Sequence, residues 1–116
     1  ILHVDLYDHE AAAPVLDSVA FYKNCRALLT DEGTMTVNLF GRTSSYDQSL
    51  AKMAEAFGED ALWAFKPTRE GNTVVLAQRI ASRPPKDVFW VQAEAIENRW
   101  DLPATKWLKV FKPLVK

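Results

Sequence analysis

Residues 34–40 read Thr-Met-Thr-Val-Asn-Leu-Phe, a β-branched and apolar run that predicts a buried strand. Upstream of it, apolar residues recur with helical spacing over residues 15–29. Downstream, Ser44 or Ser45 suits the cap of a helix that runs to about Phe57. A strand that lies between two helices in this way is typical of an α/β sheet.

Further outward, the sequence predicts three more strands, over residues 1–6, 61–66 and 73–79. The last two are separated by a turn, which predicts an antiparallel hairpin. Gly33, which follows the first helix, suits a left-handed cap. The order is therefore β-α-β-α-β-β, with parallel strands wherever a helix crosses between them and one antiparallel strand at the far edge. We interpret this order as an α/β fold, the carboxyl-terminal half of a Rossmann-like sheet of the S-adenosylmethionine methyltransferase type.

An Arg-Pro-Pro linker at residues 83–85 divides the chain into two predicted parts. Residues 1–82 form a partial Rossmann-like domain, and residues 83–116 form a helical tail whose main helix covers residues 88–100. The tail carries three tryptophans that the sheet does not need, so we expect it to pack on the sheet or on a partner chain. These tryptophans are Trp90, Trp100 and Trp107.

The composition restricts the classes of function. A chain of 116 residues, 48% hydrophobic and 25% charged, fits one soluble domain. Its net charge of −1 gives no support for a nucleic-acid or membrane partner, because both require concentrated positive charge. Cys25 is the single cysteine, which excludes an internal disulfide and a Cys-rich metal site and suits the cytoplasm.

Two carboxylates follow the first predicted strand, in the segment Val4-Asp5-Leu6-Tyr7-Asp8. Open α/β sheets bind ligands beyond the carboxyl ends of their strands. One acid there suits proton removal from an amine nucleophile, and the other suits binding of a cationic substrate. The alternative is that Asp5 and Asp8 cap the turn and helix that follow.

A series of short motifs resembles the spermidine synthase family, in the region that follows its cofactor site. The resemblance is specific over residues 1–40, looser through Arg79, and absent beyond Arg83. It rests on residues 4–8 (Val-Asp-Leu-Tyr-Asp), 13–14 (Ala-Pro), 21–22 (Phe-Tyr), 28–29 (Leu-Leu) and 31–33 (Asp-Glu-Gly).

The resemblance implies a polyamine aminopropyltransferase with roles for three residues. Asp5 resembles the acid that deprotonates the attacking amine, and Asp8 resembles the acid that binds the polyamine. Tyr7 adjoins both acids, where it lines the same pocket or simply packs in the core. The family's co-substrate is decarboxylated S-adenosylmethionine, which donates its aminopropyl group and leaves as methylthioadenosine. No metal or redox cofactor is implied.

The chain departs from the family pattern at several positions. His9 stands where the family usually has a proline, and Asn38 stands near the place of a common glutamine. Residues 67–72 keep only traces of a Tyr-Pro-x-Gly-x-Trp-like stretch. We therefore expect an altered amine pocket. His3, His9 and Cys25 have no evident cluster of partners, and we expect them to be structural or exposed.

The beginning of the chain predicts a fragment. Ile1 already reads as the middle of a buried strand, so we expect upstream sequence, and the four glycines match no phosphate-cradling motif. The fragment alone is then expected to bind no cofactor and to be inactive. An exposed strand edge at residues 1–6 predicts a homodimer. The alternatives are a relative of the S-adenosylmethionine-dependent methyltransferases, which lacks the need for paired acids, and a non-catalytic module whose tail mediates assembly.

Overall fold

The computed structural model describes residues 1–4, 17–40, 44–69 and 71–115, apart from the side chains of residues 40, 44 and 45. Five strands and four helices, with one short 3-10 turn before β3, make up this part of the chain. In chain order they are β1 (Leu2–Val4), α1 (Val19–Leu28), β2 (Thr34–Phe40), α2 (Ser44–Phe57), β3 (Leu62–Phe65), β4 (Asn72–Gln78), α3 (Lys86–Trp100), α4 (Ala104–Trp107) and β5 (Phe111–Pro113).

The strands form one mixed sheet in the order β1-β2-β4-β3-β5. β1 and β2 are parallel, whereas β4 is antiparallel to both of its neighbours, so β3 runs in the same direction as β2. The prediction of an α/β fold is confirmed. The antiparallel strand, however, lies inside the sheet and not at its far edge. The reason is the length of the pairing, because all seven residues of β4 pair with the seven residues of β2.

The far edge belongs to β5, a strand within the tail that was predicted to be helical. β5 pairs antiparallel with β3, from Trp63 opposite Pro113 to Phe65 opposite Phe111. A three-residue strand that ends in proline suits an edge, because proline has no N–H to donate to a further strand. The tail thus contributes two helices and also a strand of the main sheet.

The core lies between one face of the sheet and the helices α1 and α2. Alternate strand residues supply it, as expected where successive side chains point to opposite faces. From the helices come Tyr22, Cys25, Met53 and Phe57, all less than a tenth exposed. From the strands come Met35, Val37 and Leu39 on β2, Val75 and Ala77 on β4, and Leu62 on β3.

The first helix begins and ends differently from the prediction. Residues 17 and 18 form a bend, and Ser18 caps α1 by accepting a hydrogen bond of 3.1 Å from the backbone N–H of Phe21. The helix ends at Leu28, and its C-cap residue Leu29 has an extended backbone. Gly33 is not in the left-handed region, so the predicted cap is wrong. A glycine is needed there because a Cβ atom on residue 33 would lie 2.9 Å from the Cβ atom of Leu29.

Candidate functional site

The sequence predicts a site at the carboxyl ends of β1 and β2, which we call the carboxyl edge of the sheet. β1 ends at Val4, which pairs in register with Val37, and β2 continues three residues further to Phe40. The predicted site residues Asp5, Tyr7 and Asp8, together with His9, lie outside the described residues. Their roles stay predictions. The neighbouring helices and strands, in contrast, lie within the described residues.

A partly buried cluster of polar side chains connects the start of α1 to α2. Asp17 is its centre, and we call the group of Asp17, Tyr22, Ser49 and Lys52 the Asp17 cluster. The Tyr22 hydroxyl donates to one carboxylate oxygen of Asp17 at 2.6 Å, and the Ser49 hydroxyl donates to the other at 3.0 Å. Lys52 donates to that second oxygen at 3.1 Å and to the backbone carbonyl of Asp17 at 2.9 Å.

Burial makes this cluster a structural clamp. The side chain of Asp17 is 12% exposed, and both of its oxygens already accept hydrogen bonds. Its orientation is thus fixed by donors from two helices. The cluster therefore holds the start of α1 against α2.

Two polar side chains of β2 lie on the face of the sheet opposite the core. Thr36 and Asn38 are half-buried there, between the buried core residues of the same strand. Thr36 is opposite His3 on β1, and the imidazole Nδ1 atom of His3 lies 2.5 Å from the Thr36 hydroxyl. His3 is thus hydrogen bonded within the sheet, in agreement with the structural role expected for it. Asn38 pairs with Val74 of β4 at the end of β2 nearest the predicted site.

Cys25 lies on the core side of α1 and is 5% exposed. Burial raises the pKa of its thiol above the ordinary value of 9.0, which disfavours the reactive thiolate. Within the described ranges, no group of three or more His, Cys, Asp or Glu side chains is arranged to hold a metal ion. In the same part of the chain, no helix is long and apolar enough to cross a membrane.

The sequence predicts the two helices that the Asp17 cluster connects, but it does not predict the cluster itself. Asp17-Ser18 ahead of an apolar pattern is a recognisable helix-start signal. Ser49 and Lys52, three residues apart, lie on one face of a predicted helix. Nothing in the sequence indicates that these two features meet, because 35 residues separate Asp17 from Lys52.

Comparison of the chain with protein-family models, with curated proteins and with solved structures gives no match.

Proposed function

We propose that this chain carries the amine-binding side of an aminopropyltransferase of the spermidine synthase type, on a Rossmann-like sheet. The observation that supports it most directly is the end of β1 at Val4, immediately before Asp5 and in parallel pairing with β2. Ligands of open α/β sheets bind at that end of the strands. Asp5 is assigned to removal of a proton from the attacking amine, and Asp8 to binding of the polyamine cation.

The sheet supports the finer assignment of fold as well. β1, β2 and β3 run in one direction, α1 and α2 connect them, and a hairpin of β3 and β4 closes the run. This is the element order expected for the second half of a methyltransferase-like sheet. The four glycines of the chain stand far apart, so the proposal assigns it the amine side of the site and not the adenosine side.

A calorimetric titration with putrescine and with longer diamines tests the proposal. We expect saturable binding that Asp8→Asn weakens about tenfold, because a partly desolvated ion pair is lost. Asp5→Asn is expected to weaken binding less, since Asp5 is assigned to proton removal. Asp31→Asn is the matched control, because Asp31 lies in the turn before β2, near the amino end of that strand.

Two outcomes would contradict the amine site. One is the absence of saturable diamine binding at millimolar concentrations, and the other is an equal loss of affinity in Asp31→Asn and Asp8→Asn. Parallel titrations with methylthioadenosine and S-adenosylhomocysteine address the methyltransferase alternative. Binding of the second nucleoside in preference to the first, with no diamine binding, would favour methyl transfer.

Self-association through β1 is the second part of the proposal. Among the described strands β1 pairs with β2 alone, so its other edge presents backbone donors and acceptors. Ile1, at the start of this edge, is 88% exposed. Pairing of two β1 strands would satisfy both edges in a symmetric dimer. Sedimentation equilibrium is expected to show a dimer, and a monomer over the full concentration range would refute the pairing.

A further inference from the structure

A cleft of about 370 Å³ opens at the β5 edge of the sheet. Its walls are β3 and β5, the first turns of α3 and the segment that joins α4 to β5. Pockets for small molecules and cofactors commonly measure about 300–1,000 Å³. Its size therefore suits a small organic ligand. It lies four strands from β1, or about 19 Å at the usual spacing between strands.

Aromatic rings form the floor of the cleft. Trp63 stacks on Phe111 with ring centroids 5.1 Å apart and planes 21° apart, and Phe89 meets Trp63 edge-on at 5.5 Å. The indole N–H of Trp63 donates to the side-chain oxygen of Gln78 at 3.2 Å. The floor is thus held from three sides. Phe89 and Phe111, both half-buried, supply the part of this aromatic floor that a ligand ring can contact.

Trp90, which follows Phe89 on α3, also lines the cleft. It is 46% exposed, whereas Trp63 is 6% exposed. A large side chain that stays half-exposed in the lining of a cleft can contact a bound ring. The cleft thus combines a fixed aromatic floor with one half-exposed aromatic side chain.

The charged residues of the lining are all positive: Arg83, Lys86, Lys109 and Lys112, with no acid among the described lining residues. All four are exposed. None of the four forms an ion pair with a described residue. Arg83 donates to the backbone carbonyl of Val115, a contact that positions the guanidinium without neutralising it. The positive field at the cleft is therefore available to an anion.

We propose that this cleft binds a small organic anion with a flat apolar body, a carboxylate or phosphate monoester that bears an aromatic group. The body packs on the aromatic floor at Phe89 and Phe111 and against Trp90, and the anionic group faces the basic side chains of the lining. Neutral ligands of the same shape gain the aromatic contact alone. Cationic ligands are repelled by the four basic side chains.

Calorimetric titration of the whole chain with 2-naphthoate, 2-naphthyl phosphate and neutral 2-naphthamide tests the proposal. A ligand of about 13 non-hydrogen atoms with ordinary efficiency predicts a Kd of about 1 mM or tighter for the anions. We expect naphthoate to bind about tenfold more tightly than naphthamide at low ionic strength, with a smaller ratio at high salt. If the phosphate gains more than its larger charge accounts for, phosphate monoesters are the favoured class; if it gains no more than naphthoate, carboxylates are favoured.

Single substitutions separate the two contributions. Lys109→Gln and Lys112→Gln are each expected to weaken naphthoate binding about threefold and to leave naphthamide unchanged. The matched control is Lys23→Gln, an exposed lysine on α1, which should change neither. Trp90→Ala is expected to weaken both ligands about tenfold. Its control, Trp100→Ala, removes a 60% exposed tryptophan at the other end of the same helix and should have no effect.

The proposal is overturned if neither anion binds saturably at millimolar concentration. It is equally overturned if naphthamide binds as tightly as naphthoate, or if Trp90→Ala and Trp100→Ala behave alike. Sedimentation measurements beside the titrations test whether a second copy of the chain occupies the cleft. If Trp90→Ala converts a dimer into a monomer while naphthoate does not bind, the cleft is a contact between two copies of the chain and not a ligand site.

Discussion

Removal of the Asp17 carboxylate is the sharpest test of how α1 is held against α2. Asp17→Ala removes the acceptor of two hydroxyl donors and of Lys52. Ser49 is 5% exposed, so its hydroxyl cannot simply turn to bulk water. A buried hydroxyl that loses its partner costs about 1–3 kcal/mol. The Lys52 ion pair adds at most about 1 kcal/mol, because that side chain is 37% exposed and is screened by water.

The expected loss in the free energy of unfolding is about 3 kcal/mol for Asp17→Ala. Asp17→Asn keeps the shape and one acceptor oxygen, so we expect a loss of about 1–2 kcal/mol. Urea denaturation followed by circular dichroism measures both. With a slope of about 1.5 kcal/mol per molar urea, Asp17→Ala lowers the midpoint by about 2 M. Glu55→Ala, which removes an exposed acid from α2, is the control and should stay within about 0.5 kcal/mol.

A double-mutant cycle with Ser49→Ala shows whether the loss arises from the cluster itself. In the wild type, Ser49→Ala removes a hydrogen bond to a carboxylate and destabilises the chain by about 1 kcal/mol. In the Asp17→Ala background the same change removes a hydroxyl that has lost this acceptor, so it should be neutral or stabilising. The expected coupling is about 1–2 kcal/mol. Equal effects of Ser49→Ala in the two backgrounds would refute the clamp.

Three further predictions address single residues. Gly33→Ala brings a Cβ atom within 2.9 Å of the Leu29 Cβ atom and is expected to cost about 1–3 kcal/mol in urea denaturation; a neutral effect would contradict the close approach. Hydrogen bonds from Thr105 lower the pKa of Glu97 below its ordinary value of 4.5. The ionised carboxylate therefore stabilises the α3–α4 junction fully above pH 4.5. This stabilisation is lost as the pH falls through the lowered pKa. Glu97→Gln should therefore flatten the pH dependence of the urea midpoint in the acidic range below about pH 4.5, and an unchanged slope would argue against it. Cys25, buried with a raised pKa, should react with a thiol reagent at least about 100-fold more slowly in the native state than in denaturant, whereas equal rates would show that the core opens freely.

The elements themselves were predictable because their signals are local. The run at residues 34–40 and the pattern ending at Phe57 correspond to β2 and α2 at the bounds that the structure has. β-branched residues, helical spacing and capping serines act on neighbours in the chain, so a short window contains the information. The end of α1 was harder, since Gly33 is needed for close approach to Leu29 and not for a left-handed cap.

The order of the strands was decided only by the tertiary structure. Local patterning says which residues form a strand, but not which strand edges pair. β4 lies between β2 and β3 because its full length pairs with β2, and β5 joins the sheet from a tail that has mostly helical patterns. Edge pairing depends on competition between several edges at once, and no single segment records its outcome.

The candidate sites divide along the same line. The sequence by itself identified Asp5 and Asp8 from their place after a strand and from a family resemblance, and they remain predictions because they lie outside the described residues. The Asp17 cluster and the aromatic cleft are products of folding. Asp17 and Lys52 are 35 residues apart, and Trp63 stacks on a ring of β5. Contacts of this kind exist only once the chain has closed its long loops, which is why composition and periodicity carry no trace of them.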